Sequence, residues 1–219
     1  MRVQFFDPAA AYDVWEGRRL PHWGQAGTVC FITWRTWDSI PSDVLKRWLI
    51  ERERWLVDHG IAPQSADWRS QVQARFPDEG QRYLNLIAQR WDTTLDECRG
   101  DCVLSHKECL NIIHESLLHF DGDRYEMLDL VIMPNHVHLL ASFPSFEAMW
   151  SQIRSWKRYT AGEINRQLGL TGRLWQTEDF DHLVRGEDQL YYYRDYIADN
   201  PRKAGLAVQP NQHYSRELR

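Results

Sequence analysis

Two β-rich runs, Tyr125–Met133 (YEMLDLVIM) and His136–Phe143 (HVHLLASF), are separated by Pro134 and Asn135 alone. A joint this short has no room for a crossover, so the two runs must pair as antiparallel neighbours, and Pro-Asn is a turn dipeptide. Everything else has to be built around this hairpin. Upstream, Gly27–Thr36 (GTVCFITWRT) has the β-branched and aromatic content of a strand, with Val29, Phe31 and Thr33 on one face. His106–Phe120 then sets Leu110, Ile113, Leu117 and Phe120 at helical spacing. Downstream, Phe146–Leu168 carries Phe146, Met149, Ile153, Trp156, Thr160 and Ile164 along one helical stripe. Leu174–Val184 supplies a last strand, and Glu187–Asp199 a last helix that Pro201 stops. The order predicts an α+β fold: a ferredoxin-like β-α-β-β-α-β sandwich with a terminal helix.

Two segments lie outside that frame. Residues 1–25 read as an irregular arm containing Pro8 and Pro21. The stretch of about 39–98 reads as a helical, polar insertion, opening at Ser42 and Asp43 and broken by Pro63 and Pro77. At 219 residues the chain is expected to be one domain with this insertion rather than two independent domains. No apolar run reaches the roughly 18 residues of a membrane span, and the first residues lack the apolar stretch of a signal peptide. A cytoplasmic location is therefore expected. Cys30, Cys98, Cys102 and Cys109 form no C-x-x-C pair, so they read as reduced thiols rather than a zinc knuckle.

The net charge of −5 argues against a protein that coats duplex DNA through a broad basic surface. The charge is unevenly spread. From Ser145 onward 11 Lys and Arg face 10 Asp and Glu, a net of +1, which leaves −6 on the first 144 residues. An anionic ligand is expected to meet the C-terminal part through a local groove.

His136 and His138 carry the sharpest chemical signal. Strand side chains alternate, so both imidazoles leave one face while Val137 points the other way into packing. Two imidazoles side by side make a bidentate metal site; the plainer alternative is a pair of edge histidines. Their position directly after a turn puts them at the rim of the sheet, where substrate has access. Tyr192, Tyr196 and Asn200 share one face of the last helix by their spacing of four. The plain readings there are a core tyrosine and an Asn-Pro helix terminator. Arg154, Lys157 and Arg158 on the long helix are candidate phosphate contacts, with a solvated helix face as the alternative. Tyr159 beside them is a rival nucleophile, although packing is its simpler role.

The segments MPNHVHLL, SWKRYTAGEIN, LWQTEDFDHLVRGED and YRDYIADNPRKAGL, in this order, resemble the REP-associated tyrosine transposases of the HUH single-tyrosine superfamily. The resemblance runs from Gly27 to about Leu206, apart from the segment between Asp38 and Cys98. It implies that His136 and His138 bind a divalent metal, Mg²⁺ or Mn²⁺, that Asn200 completes the metal site, and that the last helix is catalytic, with Tyr196 as nucleophile. His182 and Arg185 match family positions, and Arg185 joins the candidate DNA contacts. The implied function is cleavage and strand transfer of single-stranded or hairpin DNA through a 5′-phosphotyrosine link, as a transposase on repetitive palindromic elements. Two alternatives stay open: a related nickase for rolling-circle replication, and a non-catalytic hairpin-binding protein. Imidazoles suit Mn²⁺ or Zn²⁺ better than Mg²⁺, which prefers oxygen ligands.

Overall fold

The computed structural model describes residues 3–16, 21–65, 67–177 and 179–218. Its centre is the hairpin of β4 (Glu126–Met133) and β5 (His136–Ser142), closed so tightly that Met133 pairs directly with His136. β3 (Val29–Arg35) pairs with the other side of β5, and β6 (Phe180–Leu183) pairs with β3. The four strands stand in the order β6-β3-β5-β4, all antiparallel to their neighbours. That is the arrangement two interleaved β-α-β units produce, as the order of elements in the sequence predicts. β7 (His213–Ser215) adds a fifth strand against β4, a strand too short to show in the sequence pattern.

The alternation of β5 divides the molecule. Val137, Leu139 and Ala141 face one side, where α4 (Lys107–Leu118) and α5 (Phe146–Leu168) bury Ile113, Leu117, Ile153 and Trp156 against them. The boundaries of α5 follow from its ends: the Ser145 hydroxyl accepts from the Ala148 amide at 3.1 Å, and Gly169 adopts φ 64° just past the last turn. The opposite face carries Val29, Phe31, Val131, Met133 and Leu140, covered by Leu190, Tyr196 and Ile197 of α6 (Glu187–Lys203).

Three readings from sequence are corrected. The arm is not irregular throughout: β1 (Asp13–Glu16) and β2 (Pro21–Gly24) form a two-stranded ribbon. Gly24 is seated directly on Phe146, where any side chain would collide with the ring. The last strand is interrupted: Trp175 bridges Thr36, with Leu174 and Gln176 bonded to Trp37 and Arg35, but continuous pairing is limited to β6. Pro201 lies inside α6, which continues to Lys203. Its fixed φ suits a helix, and the missing N–H costs one hydrogen bond near the end, where the chain tolerates the loss.

The insertion folds as α1 (Ser42–Asp58), α2 (Trp68–Arg75) and α3 (Pro77–Asp96). It has a small core of its own in Leu56, Ile61, Trp68 and Val72. Pro41 rather than Ser42 precedes the first turn of α1, and Pro77 opens α3, where a missing N–H costs nothing. The ends of the insertion meet at a neck, where the Asp38 carboxylate accepts from the Asp101 amide at 2.7 Å. Among the described residues no helix is long and apolar enough to cross a membrane. All four cysteines are free thiols.

Candidate metal and nucleophile site

The register of β3, β4 and β5 sets the site. His138 lies opposite Thr33 and Val131, and His136 opposite Arg35 and Met133, so all six side chains belong to the face that α6 covers. The open rim expected from the turn is instead closed over: His136 is 0% exposed and His138 1%. Burial pushes both imidazoles toward the neutral form: His136 is lowered to about 3, with the Asn200 amide acting in the opposite direction, and His138 falls well below its ordinary value, with the neighbouring His136 adding to the effect of burial. Neutral imidazoles are the form that binds metal.

Each histidine is held through Nδ1. The Asn135 Nδ2 group donates to the Arg99 carbonyl at 2.9 Å, which turns its Oδ1 toward His136. That oxygen accepts from His136 Nδ1 at 2.7 Å, so the lone pair of the ring lies on Nε2. Thr33 Oγ1 holds His138 Nδ1 at 2.6 Å. Fixing one ring nitrogen so that the other is presented to a ligand is the usual build of a metal-binding histidine.

α6 brings its part of the site from above. Tyr196 Oη lies 3.4 Å from His138 Nε2, and the two rings meet edge-on at 5.1 Å. Asn200, one turn later, is fully buried. Two buried polar atoms here, His136 Nε2 and Asn200 Oδ1, have no hydrogen-bond partner. Leaving such atoms unpaired costs on the order of 1–3 kcal/mol each, unless a ligand completes them. Both are lone-pair donors, so the arrangement fits a cation. Among the described residues no third His, Cys, Asp or Glu joins the histidines, so the Asn200 oxygen is the remaining candidate donor beside them.

The other residues singled out from sequence do not converge on this point. Arg154, Arg158 and Tyr159 are exposed on α5, across the sheet from the histidines, so Tyr159 cannot share a site with them. Lys157 is not a free cation on that surface. Its ammonium is gripped by Asp179 and by the Gln176 and Thr177 carbonyls, joining α5 to the segment before β6. Arg185 is exposed between β6 and α6, with its guanidinium 6.0 Å from the Phe6 ring. His182 bonds to Gln189 at 2.9 Å and has a structural place at the base of α6.

Sequence reasoning missed four neighbours of the site. Thr33 and Asn135 orient the histidines; Asn135 stood in the motif but was read for its turn propensity. Lys203 lies with its ammonium 5.2 Å from the Tyr196 ring, and its position seven residues after Tyr196 was the available signal. Asp96 comes from the insertion, and nothing in the local pattern connects it to α6.

Residues 103–200 match the model of the family described as Transposase IS200 like. A Haemophilus influenzae protein assigned to the REP-associated tyrosine transposases is 29% identical over 91 residues, covering 37% of this chain and 52% of that protein. The REP-associated tyrosine transposase of Escherichia coli is 24% identical over 103 residues, 45% of this chain and 58% of that protein. The chain thus spans about half the length of the curated relatives it matches. A solved structure, of the REP-associated tyrosine transposase bound to a REP hairpin, aligns over 84% of this chain and 72% of that one, at 15% identity and a TM-score of 0.42. The stretch similar to the IS200-like transposases, residues 103–200, contains His136, His138, Tyr196 and Asn200, and the relatives the chain resembles are REP-associated tyrosine transposases.

Proposed function

We propose that the protein cleaves and rejoins single-stranded DNA at hairpin-forming repeats, with Tyr196 as nucleophile and a divalent metal held by His136, His138 and Asn200. The observation that carries the reading is the placement of the Tyr196 hydroxyl beside His138 Nε2, next to two buried lone pairs that lack partners. A phenol with a pKa near 10 is a weak nucleophile at neutral pH. When bound, Mn²⁺ or Mg²⁺ supplies Lewis acidity to the scissile phosphate. Tyr196 Oη forms the new bond to phosphorus while the bond to the 3′-oxygen breaks. The phenol loses its proton and the departing oxygen gains one, leaving a 5′-phosphotyrosine and a 3′-hydroxyl. Attack by another 3′-hydroxyl reverses these steps, so strands are rejoined without an external energy source. Lys203 sets a positive charge beside the attacking ring, where the phosphate has to approach.

The test is a covalent adduct. Labelled single-stranded hairpin DNA incubated with the protein and Mn²⁺ is expected to give a denaturation-resistant complex. The complex should be lost with EDTA and in Tyr196→Phe, and kept in Tyr159→Phe. Survival of the adduct in Tyr196→Phe would end the assignment of the nucleophile. Hairpin binding that withstands EDTA with no adduct under any condition would instead identify a non-catalytic DNA-binding protein.

A further inference from the structure

The insertion meets the site at its C-terminal end. Asp96, the last residue of α3, accepts a hydrogen bond from Asn200 Nδ2 at 3.3 Å. An amide held by its nitrogen has its oxygen fixed in the opposite direction, and Asn200 Oδ1 is the buried oxygen that has no partner. Three residues further, the Arg99 carbonyl accepts from Asn135 Nδ2, the amide whose other end holds His136 Nδ1. The neck bond between Asp38 and the Asp101 amide fixes this stretch to the end of β3. One short segment, 96–101, therefore reaches both amides that determine where His136 and Asn200 present their lone pairs.

We infer that the insertion forms the outer layer of the metal site, with Asp96 as the positioning residue for Asn200. This rests on the reading of His136, His138 and Asn200 as metal ligands. Asp96 itself does not join the ligand set, since no third acidic or imidazole group lies within reach of the histidine pair among the described residues. Its role is to keep the amide of Asn200 from turning its NH₂ group toward the cation. Partners in such outer layers typically change metal affinity by about 10- to 100-fold when removed.

Mn²⁺ binding to the full chain without DNA, measured by electron paramagnetic resonance of the free ion, tests this. Asp96→Ala is expected to weaken Mn²⁺ binding by about 10-fold or more. Asp96→Asn, which keeps an oxygen to accept from Asn200, should bind close to wild type. In an Asn200→Ala background, Asp96→Ala should have no further effect, because the residue it positions is gone. Wild-type affinity in Asp96→Ala, or an equal loss with and without Asn200, would overturn the inference while leaving the metal site standing. Absence of Mn²⁺ binding in the wild-type protein would overturn both. Melting temperatures in EDTA, expected to match between Asp96→Ala and Asp96→Asn, separate misfolding from mispositioning; a large drop in Asp96→Ala alone would make Asp96 a structural residue and reject the role.

Discussion

His136 and His138 are buried on a face lined by Val131, Met133 and Leu140, where a charged imidazolium is costly. With His136 lowered to about 3 in the fold and near 6.5 in the unfolded chain, the unfolded state binds more protons between these values. Stability then rises with pH across that window and is lost as pH falls; His138 acts in the same direction. In metal-free protein at pH 4.5 the cost from His136 alone is about 3 kcal/mol relative to neutral pH. Urea denaturation at pH 7 and 4.5 in EDTA should reveal it, and His136→Gln/His138→Gln should flatten the dependence. An equal loss in the double variant would place the acid sensitivity elsewhere. The histidine pair was legible because a strand alternates strictly, so H-x-H fixes a shared face. Lys157 misled for the converse reason: helical spacing gives direction, but it does not show that Asp179 stands where the ammonium points. Asp96 was illegible because 104 residues separate it from Asn200.

At the scale of elements, the position of α6 decides whether Tyr196 reaches the histidines. Arg194 clamps the helix to the sheet. Its Nε lies 3.2 Å from the buried Asp129 carboxylate of β4, and its Nη2 donates to Ser215 Oγ and the Arg216 carbonyl, each at 2.8 Å. Ser215 Oγ donates in turn to Asp129 at 2.6 Å, so β7 closes the network. Burial pushes the Asp129 carboxyl up despite these partners, a sign that desolvation is only partly offset. Arg194→Met should therefore cost about 3 kcal/mol by leaving Asp129 buried without its cation. Arg194→Met/Asp129→Leu should recover part of this in the same denaturation experiment. No change in the single variant would mean that apolar packing alone docks α6. The long periodic elements, α4, α5, β4 and β5, could be placed from sequence because many residues repeat one signal. Short strands such as β1, β2 and β7 carry too few residues for a period, and their pairing is dictated by tertiary neighbours.

For the whole molecule, the net charge of −5 means that single-stranded DNA gains little from a general field. Binding should depend on few phosphate contacts and respond modestly to salt. If Arg154 and Arg158 each neutralise one phosphate, their joint replacement by Ala should reduce the slope of log affinity against log salt by about 1.4. An unchanged slope would show that α5 does not follow the backbone. The layered architecture was readable from element order, since β-α-β-β-α-β leaves few ways to pair its strands. The union of the insertion with the site was not, because no local rule states where an inserted segment packs.

The sheet also acts as a ruler. The arginines of α5 and the Tyr196 hydroxyl lie on opposite sides of it, separated by the sheet and the thickness of a helix, roughly 20 Å in all. A strand that touches both must bend around an edge of the sheet, and at about 3.4 Å per phosphate along a stacked strand this takes about six nucleotides or more. An oligonucleotide shorter than that can occupy one side of the molecule or the other, so the minimum length of DNA that engages both reports the path the strand takes.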